Sequence, residues 1–495
     1  MTDNAAASMP SRTDIAIVGT GYSGLCIAIH LKRAGLHDFV LLEQAPTVGG
    51  TWRDNHYPGA ACDIASNLYS FSFEPNPNWT RVYPQQPELK AYVEHCVEKY
   101  GLTAHLHCNA RVVEARFDEA ARSWDLALDG ARQLTARVLV SATGGLSRPS
   151  VPSIEGLSAF AGPVFHSARW QDDTALAGRR VAVIGTGASA IQLVPEIARE
   201  VGQLTLFQRT PPWIIPKPDR ALSAAERRRL RRHPSWQRML RGIDYAMREY
   251  RAAFFTRWPG VLKVAQARVL RHMHGQVADP ALRAQLTPRY VLGCKRILLS
   301  NDFYQAVQRP HVRLVTEPIA RIAPDGIETA DGVLHPADAL VFATGFQTDG
   351  RVPYPVFGFG GAALADAWAP GPQAYLGTTV AGYPNLFLMT GPNTGLGHNS
   401  MIYMIESQAR YVMDAIQTMR RAGLQAVDVD PEAQRSFNTE LQARMRRTVW
   451  ATGGCRSWYM APDGSNPTLW PDFTFRFRRR TRRFDLEHYR SWTAS

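Results

Sequence analysis

Residues 14–18, DIAIV, form a short apolar run that predicts a buried strand. Gly19-Thr-Gly21-Tyr-Ser-Gly24 follows, then LCIAIHLKRAG, apolar at helical spacing up to a glycine stop at Gly35. A second apolar run, DFVLLE, ends at Glu43. The order is strand, glycine turn, helix, strand. Residues 180–210 repeat it: RVAVI, then Gly185-Thr-Gly187-Ala-Ser189-Ala190, then IQLVPEIAREVG, then QLTLFQR.

Each unit suits a dinucleotide. The glycines permit a tight turn and close approach of the backbone to a pyrophosphate, and the helix N-terminus supplies N–H donors for it. The two units differ at one tip. Glu43 stands 24 positions after Gly19, and Arg209 stands 24 positions after Gly185. A carboxylate there takes free ribose hydroxyls and repels a 2′-phosphate. A guanidinium binds that phosphate through two N–H groups. The first unit therefore reads as an FAD site and the second as an NADPH site. Ala190 replaces the third glycine, which the G-x-G-x-x-G/A pattern allows. One unit of each kind in one chain predicts an oxidoreductase.

Composition narrows the field. The chain has 495 residues, 45% hydrophobic and 20% charged, as in ordinary globular proteins. No apolar run reaches the roughly 18–20 residues of a membrane span. The N-terminus lacks the layout of a signal peptide, so a cytoplasmic location is expected. The six cysteines include no C-x-x-C pair, and neither a disulfide framework nor a zinc site is expected. Without a redox cysteine pair, oxygen rather than a disulfide is the expected electron acceptor. The i,i+2 histidines at 105–107 and 272–274 lack further ligands nearby, and no metal is expected.

Net charge is +13. Much of the excess falls in residues 220–296 and in the tail RFRRRTRRF. No nucleic-acid-binding motif accompanies it, so solvated arginine-rich helices are the reading preferred to nucleic-acid binding. PPWIIPKPD marks the exit from the second unit, and a charged, helix-prone insertion follows over 218–295. Within it Trp236, Leu240, Ile243 and Met247 share one helical face, with Arg238, Arg241 and Arg248 elsewhere on the wheel. That face is expected to pack on the NADPH unit; weak association with a membrane surface is the other reading.

Two longer fingerprints carry a family resemblance. Phe160-Ala-Gly162-Pro-Val-Phe-His166-Ser-Ala-Arg-Trp170 matches FxGxxxHxxxW, with Gln171 where Pro or Asp is usual. Gly49-Gly-Thr51-Trp52-Arg-Asp54-Asn-His-Tyr57-Pro-Gly59-Ala-Ala-Cys-Asp63 matches a second. LVFATGF at 340–346 and GPNTGLGHNS at 391–400 are similar to family segments near the flavin. The chain thus resembles a type I Baeyer–Villiger monooxygenase, a class B flavoprotein monooxygenase, over nearly its whole length.

The resemblance implies an α/β fold with two Rossmann-like dinucleotide-binding domains and a helical insertion. The FAD domain would cover about 10–150 and 385–495, and the NADPH domain about 151–217 and 296–384. It implies FAD contacts at Gly19, Gly21, Gly24, Glu43, Thr51, Trp52, Asp54, Tyr69 and Val112. NADPH contacts would be Gly185, Gly187, Ser189, Ala190, Arg209, Thr210 and Lys295, with Trp458 approaching nicotinamide and substrate. Phe160, Gly162, His166 and Trp170 would position the linker, with His166 neither acid nor base. Arg296, in CKRILLSNDFY, would be the catalytic cation and Asp63 its holder. An always-charged guanidinium suits a reaction whose peroxyflavin and tetrahedral adduct are both anionic.

The implied activity is insertion of one oxygen of O₂ beside a ketone carbonyl, giving an ester or lactone, with sulfides as further substrates. Rival readings are an N- or S-hydroxylating flavin monooxygenase, or a basic membrane- or nucleic-acid-associated protein with a vestigial nucleotide fold. Trp170, Asp63 and Arg296 oppose the first rival. Neither the ketone nor the oligomeric state is legible.

Overall fold

The computed structural model describes residues 9–348, 352–455, 457–461 and 463–493. In chain order the first unit gives β1 (Arg12–Val18), α1 (Tyr22–Arg33), β2 (Phe39–Leu42), α2 (Thr51–Asp54), α3 (Gln86–Lys99) and β3 (Leu106–His107). It continues with β4 (Val112–Asp118), β5 (Ser123–Leu128) and β6 (Gln133–Ser141). The second unit gives β7 (Val164–His166), β8 (Arg180–Ile184), α4 (Ala190–Ile197) and β9 (Gln203–Phe207). Then come β10 (Ile214–Ile215), α5 (Ala224–Arg232), α6 (Pro234–Thr256), α7 (Val261–Gln276), α8 (Pro280–Leu286) and β11 (Leu298–Leu299). Later strands are β12 (Val312–Val315), β13 (Ile319–Ala323), β14 (Gly326–Thr329), β15 (Leu334–Pro336), β16 (Ala339–Phe342), β17 (Val356–Phe357) and β18 (Leu386–Leu388).

Two parallel-core sheets dominate. The first runs β17-β4-β5-β6-β1-β2-β3, with β18 also beside β6. The second runs β12-β9-β8-β16-β7. In each, the central strand carries a near-continuous apolar run because helices or loops cover both faces. Ile15, Ile17, Val181 and Val183 are accordingly fully buried.

The two units match at atomic detail. Gly19 N donates to Leu42 O at 2.8 Å, and Gly185 N donates to Phe207 O at 3.0 Å. Both glycines have positive φ, +106° and +108°. A Cβ on Gly19 would lie 2.6 Å from Ala142 O, and one on Gly185 would lie 2.6 Å from Ala343 O. Only glycine fits such a position. The repeat therefore includes the SATGG and FATGF segments at 141–145 and 342–346, a correspondence that is visible in the sequence once the sheets are aligned.

Two expectations need correction. The chain rejoins the first sheet before residue 385, because Val356–Phe357 pairs with Ala115–Arg116 of β4. Tyr354, Val356, Leu364 and Trp368 bury against Phe117 and Trp124, which holds this segment there. Helix α6 does not bury its apolar face on the NADPH unit. Gln237 and Arg241 point inward instead, donating to Asn76 O at 2.7 Å and Ser70 O at 2.8 Å in the first unit. The loop carbonyls at 67–76 need donors, and long polar side chains satisfy them better than aliphatic ones.

Candidate functional site

The first glycine turn is built around open space. A Cβ on Gly24 would lie 1.9 Å from Gly19 O, so this glycine serves helix-to-strand contact. A Cβ on Gly21 would meet only Gly50 Cα, at 3.8 Å. On Gly187, in the second turn, it would meet nothing within 4 Å. The middle glycine of each turn thus leaves room beside a helix N-terminus, the shape a pyrophosphate fills.

Glu43 lies at the end of β2 and is buried. Its carboxylate accepts from Thr20 Oγ1 at 2.6 Å and Ala45 N at 3.0 Å, and pairs with Arg53 Nη1 at 2.9 Å. A ribose at this carboxylate would share it with Arg53, a partner that strand spacing alone does not reveal. The GGTW turn leans on the glycine loop, with a Cβ on Gly50 placed 3.0 Å from Gly21 Cα. Trp52 Nε1 donates to Tyr69 OH at 3.2 Å, and Asp54 accepts from Arg53 Nε at 2.8 Å. Thr51 opens α2. Val112 opens β4 and is buried in the sheet's core.

In the second unit Lys295 lies within electrostatic reach of Arg209, its Nζ 5.1 Å over the Tyr290 ring. Burial lowers the Lys295 pKa, and the Arg209 charge lowers it further. Among the described residues no carboxylate forms an ion pair with either. Two neighbouring cations, neither ion-paired to a described carboxylate, fit a 2′-phosphate. Thr210 O accepts from Thr186 Oγ1 at 3.2 Å, Ser189 precedes α4 without a side-chain capping bond, and Ala190 is buried at its first turn.

Arg296 lies one residue beyond Lys295, just before β11. Its Nε donates to Asp63 Oδ2 at 2.6 Å and its Nη2 to Asp63 Oδ1 at 2.7 Å. Burial pushes the Asp63 carboxyl up, but the Arg296 guanidinium outweighs it and holds the group below the usual carboxylate range. Asp63 in turn raises the Arg296 pKa still further, so the cation is permanent. Arg296 Nη1 reaches Leu396 O at 3.4 Å. Position 296 is thus fixed between the Gly49–Asp63 fingerprint and the 391–400 loop.

Comparison with known proteins decides what this arrangement belongs to. A profile described as pyridine nucleotide-disulphide oxidoreductase matches residues 16–241. A Baeyer-Villiger monooxygenase of Pseudomonas aeruginosa is 50% identical over 97% of this chain and 92% of that protein. One of Streptomyces coelicolor is 48% identical over 96% and 92%. The chain belongs to the Baeyer–Villiger monooxygenase family. Among solved structures, cyclohexanone monooxygenase from Rhodococcus sp. Phi1 bound to NADP⁺ aligns with a TM-score of 0.88 and 27% identity, over 98% of this chain and 100% of that one. Oxidized steroid monooxygenase bound to NADP aligns at 0.87 and 30%, with the same coverage.

The fingerprint of a Baeyer–Villiger monooxygenase here has a mechanical reading. His166 Nδ1 accepts from Ala168 N at 3.0 Å, capping a short 3₁₀ turn, and burial pushes its pKa down to about 4. A Cβ on Gly162 would lie 2.2 Å from Asp338 O. Trp170 packs edge-on against Phe165, with centroids 5.0 Å apart, and Phe160 is buried beside Ile184 and Phe342. Arg169 approaches Asp54 at 3.7 Å, tying the linker to α2.

Several neighbours were not anticipated. Gln192 of α4 accepts from Tyr57 OH at 2.9 Å and donates to Ala61 O at 2.9 Å, joining the second unit to the Gly49–Asp63 fingerprint. The phenol of Tyr459 is buried beside Arg296, and Trp458, the expected contact, is 52% exposed. Arg248 of α6 reaches Asp63 O at 3.4 Å. His398 is buried between Phe255 and Trp450, and burial, helped by Arg248 and Arg296, pushes its pKa to about 3. Tyr459 stands in a motif already singled out, next to Trp458. His398 likewise lies in the 391–400 segment, whereas the helical wheel that includes Arg248 gave no sign of its approach to Asp63.

The cysteines also require a correction. Cys294 and Cys455 form a disulfide across 161 residues, with Cα atoms 6.0 Å apart. No local spacing announces such a pair. It joins the Lys295-Arg296 segment to the chain leading into Trp458 and Tyr459. The absence of a cysteine pair therefore no longer argues against disulfide chemistry; the two relatives at 48–50% identity take over that argument.

Proposed function

We propose that this Baeyer–Villiger monooxygenase, which works with FAD and NADPH on a ketone and O₂, uses Arg296 as its catalytic cation and Asp63 as the residue that positions it. The observation that carries the reading is the sequence neighbourhood of two clamps. Lys295 lies within electrostatic reach of Arg209, with neither ion-paired to a carboxylate among the described residues, and Arg296 is gripped by Asp63. One short segment thus joins the 2′-phosphate site to the reacting centre.

The first glycine turn with Thr51, Trp52, Asp54 and Tyr69 would hold FAD; the second turn with Arg209, Thr210 and Lys295 would hold NADPH. The first sheet with the segments about 10–150 and 385–495 forms the FAD domain in this reading, extended by the 356–357 strand. When bound, the flavin would supply the redox and oxygen-activating chemistry. The chain's own residues do the rest. Asp63 occupies two donors of Arg296 and fixes the plane of its guanidinium. The donors not held by Asp63 stabilise negative charge that develops on the ketone oxygen. Burial of Tyr459 and His398 nearby excludes water, which strengthens that interaction. His398 stays neutral there and adds no competing charge.

The test is a panel of ketones with NADPH and isotopically labelled dioxygen, read by mass spectrometry. One labelled oxygen in an ester or lactone supports the reading. Label appearing only in sulfoxide from an included sulfide would favour a heteroatom-oxidising enzyme.

A further inference from the structure

Helix α6 is built inside out. Its inward face carries Gln237, Arg241, Tyr245, Arg248 and Glu249. Glu249 is buried and accepts from Asn399 Nδ2 and Thr474 Oγ1, both at 2.6 Å. Its outward face is apolar. Met239, Ile243, Met247 and Tyr250 are 44%, 47%, 49% and 69% exposed. Their spacing of four, four and three places them in one stripe about 16 Å long. Trp258, at the turn into α7, and Val264, one turn into it, extend the exposed apolar surface at 59% and 76%. Single exposed apolar residues are ordinary, but a continuous stripe on a helix marks an interaction surface.

Charge identifies the occupant. Residues 218–295 contain 17 Lys and Arg against 5 Asp and Glu, a net of +12 out of +13 for the whole chain. Arg251 borders the stripe on α6, and Arg238 is exposed on the same helix. Arg228, Arg231 and Arg232 project from α5, and Lys263 stands between the exposed valines of α7. Among the described residues no carboxylate forms an ion pair with any of these six. A second copy of the chain, docked symmetrically, would bring this cationic face against itself. Nucleic acid would meet the arginines and leave the aliphatic stripe uncovered. A surface that is anionic at its polar level and apolar beneath satisfies both features. No described helix is long and apolar enough to cross a membrane, so contact would be from one side.

We propose that the insertion is a peripheral membrane-binding element: the Met239–Tyr250 stripe enters the acyl boundary of an anionic bilayer, and the surrounding arginines contact its phosphate headgroups.

The test is co-sedimentation of the full-length flavoprotein with two kinds of vesicle. One is phosphatidylcholine alone; the other is an equal mixture of phosphatidylcholine and phosphatidylglycerol. The protein should pellet with the mixed vesicles, and salt should weaken the binding. The double variant Ile243→Glu/Met247→Glu should bind roughly tenfold or more weakly, since two carboxylates replace the inserting groups. Its flavin absorbance and its turnover of a water-soluble ketone should stay at wild-type level, because neither residue touches the site. Arg228→Ala/Arg231→Ala/Arg232→Ala should bind more weakly and lose salt sensitivity. Absence of binding to the mixed vesicles at low salt would overturn the proposal. So would binding lost in the arginine variant but unchanged in Ile243→Glu/Met247→Glu, which would show charge attraction without insertion. A concentration-dependent dimer in sedimentation velocity, abolished by Ile243→Glu/Met247→Glu, would assign the stripe to a second copy instead.

Discussion

Arg296 grips Asp63 through both carboxylate oxygens, at 2.6 Å from Nε and 2.7 Å from Nη2, across 233 residues of chain. Neither residue alone fixes this geometry. The aspartate comes from the turn that follows α2, and the arginine enters from the segment that β11 anchors beside β10.

Arg296→Ala should leave the fold and the bound flavin in place and reduce ester formation by about 10²–10³, the usual cost of an oxyanion partner. NADPH consumed would then appear as hydrogen peroxide. Arg296→Lys should rescue poorly, because an ammonium cannot keep the two-pronged contact with Asp63 while addressing substrate. Asp63→Ala should be milder, since the charge remains. The ratio of ester formed to NADPH consumed is the measurement; a wild-type ratio in Arg296→Ala would remove this residue from the mechanism.

Arg209→Ala should weaken NADPH binding by about ten- to a hundredfold and leave NADH use nearly unchanged. Lys295→Ala should act in the same direction. KM values for the two coenzymes distinguish this from general damage, because a misfolded variant would lose both.

The glycine turns make a graded prediction. Gly21→Ala has room for its methyl in the bare protein, so the chain should fold but purify colourless. Gly24→Ala has no room and should express poorly. Gly187→Ala should stay yellow and be bleached slowly by NADPH. Visible absorbance and stopped-flow reduction read all three, and yellow Gly21→Ala with colourless Gly187→Ala would reverse the assignment of the two sites.

Stability should fall on acidification. Burial depresses the pKa values of His30 and His166 to about 4 and of His398 to about 3, from 6.5. Each imidazole is neutral in the fold, while the unfolded chain takes up a proton below pH 6.5. Their contribution is therefore complete above that pH and is lost as pH falls toward 4 and then 3. Chemical denaturation at a series of pH values should show the decline, and His398→Asn should flatten it. A midpoint constant from pH 7 to 4.5 would contradict the burial of these rings.

Much of the fold is local in origin and so was legible in the chain. The paired glycine turns, the strands beside them and the charge reversal from Glu43 to Arg209 depend on contacts within about 25 residues, where periodicity and turn chemistry act directly. The family resemblance marks Asp63 and Arg296 as candidates. What only the tertiary structure decided are the relations that sequence distance hides. The Cys294–Cys455 disulfide, the Gln192 bridge to Tyr57 and Ala61, and the burial of Tyr459 beside Arg296 join segments with no shared pattern. Helix α6 shows the limit most plainly. The apolar spacing puts Trp236, Leu240, Ile243 and Met247 on one face, yet Trp236 and Leu240 are only half-buried and Ile243 and Met247 point to solvent. Periodicity reports which side chains lie together; it does not say which side the rest of the molecule occupies. Here the loop carbonyls at 67–76 and the groups bonded to Glu249 required a polar surface, and that requirement turned the helix around.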